Sequence, residues 1–329
     1  MKRTVLLVTG FALLVSLWPR PSFAQFNGHN TKGDYGLQSA SQPPPGWYLL
    51  APLYVRYHTD TLKNSEGVPV LPDERDSLDV NAFVGGLIYV SEDKLLGGHY
   101  SFQAYPAWTD SNLEVPIFGV DQQTSVAFAD FYFQPLNLGW HTPRADFTVG
   151  FGVYAPTGRY TPGADDNVGL GMWGFEPFGG ATLYFDEAQR WHFAATAFYA
   201  THSEKKDTDV RVGDVLTIEG GLGWSFLEGA ANVGVAYVAQ WKVTDDDLGS
   251  FDVDGLLEEA GLPPVAELPI GKHRAFGVGP ELTLPIATKT KLIAILNARY
   301  IFEFGARTAL EGNTFVISAT FPIPSVSLQ

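Results

Sequence analysis

The sequence predicts an all-β protein, an antiparallel transmembrane β-barrel of about twelve strands. Three observations predict it. Apolar residues alternate with polar or small ones over long segments, the connections between segments alternate between long and short, and tryptophans fall at segment ends. Composition agrees: the 329 residues include 35 Gly, 23 Phe, 14 Tyr and 8 Trp. Gly costs about 1 kcal/mol in a helix interior, whereas aromatic residues favour strands. With 45% hydrophobic and 17% charged residues the chain is not disordered. Its 36 acidic residues against 21 Lys and Arg, a net charge of −15, exclude a nucleic-acid partner, which would need clustered cations. The absence of Cys removes disulfides, thiolate metal sites and Cys nucleophiles together.

The first element, residues 1–24, has the order of a secretory signal peptide. Lys2 and Arg3 precede an apolar run from Thr4 to Trp18, Pro19 breaks it, and Ser22-Phe23-Ala24 supplies small residues before a cleavage point at Gln25. Residues 25–46 are then expected as a periplasmic N-terminal segment, with the barrel occupying 47–329. No later segment offers a long uncharged apolar run, so membrane residence would have to come from strands.

From Trp47 the alternating segments run 47–58, 77–90, 98–108, 122–135, 144–156, 172–185, 190–202, 213–226, 231–242, 272–286, 290–304 and 312–322. In 231–242, Val233, Val235, Tyr237, Ala239 and Trp241 oppose Asn232, Gly234, Ala236, Gln240 and Lys242, with Val238 on the second face. In 190–202, Trp191, Phe193, Ala195, Ala197 and Tyr199 oppose His192, Ala194, Thr196 and His202. In 290–304 the apolar set is Leu292, Ala294, Leu296, Ala298, Tyr300, Phe302 and Phe304, against Lys291, Asn297, Arg299 and Glu303 diluted by Ile293, Ile295 and Ile301. These segments exceed the usual soluble strand of ~5–6 residues and reach the ~9–11 that a tilted membrane-crossing strand needs.

Connections 59–76, 109–121, 157–171, 203–212 and 243–271 are long, and 91–97, 136–143, 186–189, 227–230 and 287–289 are short. Short periplasmic turns facing long outer loops are the pattern of outer-membrane barrels; 305–311, on the outer side, is the short exception. Trp47, Trp140, Trp191 and Trp224 then fall at periplasmic ends and Trp108, Trp173 and Trp241 at outer ends. An indole, apolar with one N–H donor, prefers the lipid–water boundary. A soluble barrel of this size fails on packing, since about eight strands enclose what side chains can fill. Outward apolar faces in a closed sheet satisfy every backbone group in lipid.

Residues of the other parity are expected in the lumen: Tyr54, Arg56, Asp79, Asn81, Gln103, Asp130, Gln134, Glu176, Glu219, Gln240, Lys242, Glu281, Asn297, Arg299 and Glu303. A charge facing lipid near the midplane costs ~2–4 kcal/mol, which nearly forces that parity. Such residues either line a narrow passage suited to neutral solutes or cations, or form ion pairs of Arg56 and Arg299 with carboxylates that plug and stiffen the barrel. Pro52, Pro106, Pro177, Pro280 and Pro285 interrupt strands and are expected at bulges near the rims, a lateral gap being the alternative. The acidic stretch 243–271 is expected as a solvated outer loop. Asp252, Asp254 and Gly255 half-match a calcium loop, but its last position holds Gly261 instead of Glu. There is no G-x-S-x-G, no H-E-x-x-H and no phosphate loop, and the seven His lack metal-ligand spacing. No cofactor and no catalytic site are expected, although a barrel enzyme could still assemble Ser and His from distant strands.

Four stretches carry a resemblance: GDYGLQSASQPPPGWYLLAPLY at 33–54, YAPTGRYTPGADDNVGLGMWGFEPFGGATLYFD at 154–186, GVGPELTLP at 277–285 and GNTFVISATFP at 312–322. In these the chain resembles the outer-membrane proteins labelled MetA-pathway of phenol degradation, over most of its length. The resemblance implies a transporter-like outer-membrane barrel passing aromatic or other hydrophobic compounds in a Gram-negative cell, with outer-membrane lipid and the outer-membrane assembly machinery as partners. Within it, Thr157–Gly171 is expected as the third outer loop, folded inward with Arg159 as a constriction, and Pro43-Pro44-Pro45 as a stiff lead into the first strand. The chain departs from the usual terminal aromatic of such barrels, since Phe321 is followed by Pro-Ile-Pro-Ser-Val-Ser-Leu-Gln. The expected function is passive uptake of small hydrophobic or aromatic molecules, with Arg56, Asp130, Arg159, Glu176, Glu219, Glu281, Arg299 and Glu303 as lumen or constriction residues. A closed structural or adhesive barrel and a lipid-modifying barrel enzyme are the alternatives.

Overall fold

A computed structural model describes residues 28–69, 77–115, 120–162, 164, 166–227, 229–249, 271–289 and 291–324. The expected leader, 1–24, and the half-matched calcium loop at 250–261 lie outside the described residues. Among the described residues there is no helix, and twelve strands form a closed antiparallel barrel. They are β1 (Gly46–Thr59), β2 (Ser77–Leu95), β3 (Gly98–Tyr105 and Ala107–Val115, divided at Pro106) and β4 (Val120–Phe128 and Phe131–His141, divided at Ala129–Asp130). Then come β5 (Ala145–Ala155), β6 (Gly174–Tyr184), β7 (Trp191–His202), β8 (Val215–Phe226), β9 (Ala231–Lys242), β10 (Arg274–Ala287), β11 (Leu292–Arg307) and β12 (Asn313–Ile323). Each strand pairs with the next, and β1 pairs with both β2 and β12, which closes the sheet. Two short pieces in the long loops, Leu62–Lys63 and Ala309–Leu310, pair with each other.

The alternation becomes an inside and an outside. Along β7, Trp191, Phe193 and Tyr199 are exposed while His192, Thr196 and His202 are buried; along β9, Val233 and Val235 are exposed while Asn232, Gln240 and Lys242 are buried. Apolar side chains therefore meet the surroundings and polar ones meet the interior, the reverse of a soluble sheet. Trp47, Trp108, Trp173, Trp191 and Trp224 are exposed at the two rims of this apolar band.

Strands β2, β3 and β4 run further than expected: β2 to Leu95 past 90 and β3 to Val115 past 108, while β4 begins at Val120 instead of 122. Their long-loop halves, 77–84, 107–115 and 120–128, pair only among themselves and with β1, so they rise as a curtain above the band. The outward rings of Phe83, Trp108 and Phe128 mark its base, with Trp108 and Phe128 in edge contact. The lower half of β4 also runs on to His141, past the segment end expected at 135. A bulge at Pro135 breaks the alternation there and pairs Ser101 with Asn137 but Gln103 with Gln134.

Bulges also overturn several expected orientations. In β1 the pairing jumps from Leu50↔Gly86 to Leu53↔Val84, so Ala51-Pro52 inserts one extra residue. Paired residues share a face. Val55 pairs with buried Val316 inside, which leaves Tyr54, Arg56 and their partners Phe83, Asn81, Ile317 and Phe315 outside. Arg56, Tyr54, Asp79 and Asn81, expected in the lumen, thus lie on the outer surface of the curtain, where Arg56 pairs with Asp79 at 3.1 Å. A one-residue shift between Ile286 and Ala287 marks another bulge at the start of β11, where Ile293 is exposed although expected on the inner face; Ala294, paired with exposed Ile286, keeps the outward face. Pro52, Pro106 and Pro135 sit at such irregularities, whereas Pro177, Pro280 and Pro285 stay within continuous pairing.

Candidate functional site

The lumen is occupied by the chain itself. Residues 28–45, expected on the periplasmic side, instead descend through the barrel from the long-loop end to the short-turn end before turning up into β1. At the top, His29 Nε2 lies 3.1 Å from Asp130 Oδ2, and Asn30 donates its amide N–H to Glu176 Oε2 at 2.6 Å. Lys32 pairs with Glu303 at 2.7 Å. In the middle, the N–H groups of Gly33 and Tyr35 donate to the two oxygens of Glu219, each at 2.7 Å, and Leu37 N–H donates to Glu281 Oε2 at 3.1 Å. Arg299 joins wall and segment, donating through Nη1 to Glu281 at 3.2 Å and through Nη2 to the Asp34 carbonyl at 2.8 Å. Lower down, Thr196 donates to Ser39 Oγ at 2.9 Å, and the Gln42 amide is hydrogen bonded to Ser101 at 3.0 Å.

Two features of sequence make this seat. The segment runs here as turns and bends, with Gly33 at φ +88 and a turn closed by Ser39 N–H on the Gly36 carbonyl, which aims the N–H groups of residues 33, 35 and 37 at the wall, and a buried carboxylate is an acceptor without donors of its own. Glu219 and Glu281 therefore match the N–H groups of residues 33, 35 and 37. Charge-assisted bonds of this kind contribute roughly 1.5–3 kcal/mol each. The second feature is glycine where the backbones approach. A Cβ on Gly36 would lie 1.8 Å from Glu281 Oε2, and one on Gly221 would lie 2.7 Å from the Leu37 side chain, which is fully buried.

Of the residues expected at the site, Glu176, Glu219, Glu281, Arg299 and Glu303 face the lumen and hold the segment. Asp130 sits at the break in β4, where it also accepts N–H groups from Gly158 at 2.9 Å and Leu170 at 2.8 Å, tying loop 156–173 down. Arg159 does not reach across the lumen: it donates to the Asp166 carbonyl at 2.9 and 2.6 Å and pairs with the Asp166 carboxylate at 3.0 Å, within its own loop. Arg56 is outside. The expected ion pair at Arg299 is present, and the one at Arg56 forms on the wrong face of the wall. What the reading of the sequence missed is the filling segment itself. Its signal was available in GDYGLQ at 33–38, where Gly33 and Gly36 bracket residues that find buried partners.

The segment does not fill the lumen evenly. Its strongest bonds run to β6, β8, β10 and β11, and a cavity of about 270 Å³ remains between residues 34–43 and the wall from β2 to β7, with Glu281 of β10 also on its lining. Ile88, Phe178 and Phe198 supply its apolar lining, Gln38, Gln42, Gln103, Gln134 and Asn137 its amides, and Asp34 and Glu281 also border it. A second cavity of about 520 Å³ opens at the long-loop rim between Tyr160, Trp173 and Lys206. Beneath it, Lys205 donates to the Leu170 carbonyl at 2.8 Å and lies over the Tyr160 ring. Burial lowers the Lys205 pKa to about 8. In the expected acidic outer loop, Asp246 is buried against Lys242 at 2.8 Å instead of being solvated. The nearest approach to a catalytic group is Ser225, which donates to Asn232 and lies 3.3 Å from His192. All three are buried on the inner wall. Among the described residues no cluster could hold a metal ion.

Closed pairing, an outward apolar band with aromatic rims and a polar interior define an outer-membrane β-barrel with its own N-terminal segment in the lumen. Residues 59–319 match the family described as "Putative MetA-pathway of phenol degradation", and the chain belongs to that family. No curated protein matches it. Among solved structures it is similar to the COG4313 outer membrane channel from Pseudomonas putida F1, at 10% identity and a TM-score of 0.68, covering 90% of this chain and 100% of that one. It also aligns with the transport unit of the autotransporter AIDA-I from Escherichia coli, at 8% identity and a TM-score of 0.42 over 96% and 98% of the two chains. A Pseudomonas aeruginosa FadL homologue aligns at 11% identity and a TM-score of 0.35 over 84% and 89%. Of these likenesses the first supports the twelve-strand fold.

Proposed function

We propose that the chain is an outer-membrane channel for passive uptake of small hydrophobic or aromatic compounds, exported by a cleaved leader at 1–24 and inserted by the outer-membrane assembly machinery. The cavity beside the N-terminal segment carries this reading. Its 270 Å³ falls just below the ~300–1,000 Å³ of sites for drug-sized ligands, which suits a molecule of one ring. Phe178, Phe198 and Ile88 offer apolar contact, and the amides of the lining offer a partner to one hydroxyl. Uptake needs no cofactor, since width, lining and the retained segment set selectivity. Family membership supports the aromatic solute class.

A second reading, a barrel whose lumen stays closed, is favoured by the bonds that hold residues 28–45. Initial uptake of radiolabelled toluene by cells with intact lipopolysaccharide, carrying the chain or an empty vector, separates the two. A severalfold faster rate supports the channel. Equal rates, together with no ohmic steps in planar bilayers, would leave the closed barrel.

A further inference from the structure

In the membrane-crossing part of the wall, outward residues are apolar and inward ones largely polar. The curtain above the aromatic rings reverses that arrangement. Its outer surface carries Arg56, Asp79, Asn81, Asp110 and Asn112, linked by the Arg56–Asp79 pair and by Asn81 donating to Asp110 at 2.8 Å. Its inner surface carries Leu53 and Val55 on β1 and Leu78, Val80, Ala82 and Val84 on β2, all only half-buried, beside Tyr57 and Thr59 of β1 and Thr109 and Ser111 of β3. A polar outside is expected of a sheet standing in water, but an inner apolar face left half-open is not accounted for by lipid or by packing.

That face is continuous with the cavity below. Descending β2, the inward positions are Leu78, Val80, Ala82, Val84, Gly86 and Ile88, without a charge or an amide, and Ile88 lines the 270 Å³ cavity. Across the lumen, β8, β10 and β11 carry Glu219, Glu281, Arg299 and Glu303, which hold the N-terminal segment, and of these Glu281 also borders the cavity. We infer that the inner face of β1 and β2 is the solute path: neutral, apolar, single-ring molecules are captured on the curtain and pass down β2 to the cavity, while the charged groups of β8, β10 and β11 hold the segment. This inference rests on the uptake reading and specifies its ligand class and route.

The test replaces Val80 and Val84 with Thr, which keeps their shape and adds hydroxyls outside the membrane; Ala82→Asp is the stronger variant. Asn81→Asp on the outer face is the control. Toluene uptake by cells is measured beside arabinose-driven swelling of proteoliposomes, with heat-modifiable gel mobility to confirm folding. The expected result is a fivefold or greater loss of toluene uptake, with arabinose permeation and the control within twofold of the wild type. Toluene uptake equal to wild type in the folded variants overturns the path while leaving the channel reading standing. A parallel loss for toluene and arabinose also overturns it, assigning the face to packing within the chain. If the unaltered chain gives no uptake above the vector, the channel reading fails first and the path falls with it.

Discussion

Glu219 accepts two backbone N–H groups that are two residues apart, and Glu281 takes the next in line, so the fate of the N-terminal segment is concentrated in two side chains. Removing both acceptors, Glu219→Ala with Glu281→Ala, is expected to release the segment, raising single-channel conductance severalfold and exposing residues 28–45 to protease. Unaltered conductance would show that the seat is held elsewhere. Gly36→Val is expected to do the same without altering a charge, because its side chain would meet Glu281 and Arg299. Lys205 gives a pH dependence of known sign. Its folded pKa, about 8, lies below the ordinary 10.5, so between these values the unfolded chain binds more protons and stability rises with pH. The wild-type melting temperature is therefore expected to gain on that of Lys205→Met as pH climbs from 8 to 10, and parallel curves would refute the assignment. The lumen carboxylates were legible one at a time, since a charge in a membrane strand has only the inside to face. Their ligand was not, because a donor separated by 180 or more residues leaves no periodic trace.

Strand identity was the most legible feature, because lipid outside and water inside impose a period of two on every crossing segment. The alternation failed where one residue is added. Ala51-Pro52 moves every later side chain of β1 to the other face, so Arg56 went outward and Tyr57 inward to Glu303. Since the chain contains no Cys, this can be read directly by single substitution. Arg56→Cys is expected to react quickly with a membrane-impermeant maleimide on intact cells, and Glu303→Cys, whose side chain is fully buried, at least tenfold more slowly. Similar rates would contradict the bulge assignment. β3 was underestimated for a related reason. The curtain keeps period two but exchanges its apolar and polar faces, so a reading anchored on outward apolar residues ends at Trp108.

At the scale of the molecule, the barrel and its filling are separable. The twelve strands close on one another through backbone pairing, and residues 28–42 add no strand to that sheet. A chain lacking 28–42 is therefore expected to fold into a heat-modifiable barrel with larger conductance; failure to insert at all would make the segment part of the folding core. The amino-acid sequence by itself determined that the chain is a barrel, how many strands it has, and which parity faces lipid, since each of these follows from a local alternation that a solvent of fixed polarity enforces. Only the tertiary structure decided what fills the barrel, which wall is charged and which apolar, and on which side of each bulge a residue emerges. Those outcomes depend on contacts between distant residues and on register, and a single inserted residue changes register without changing composition.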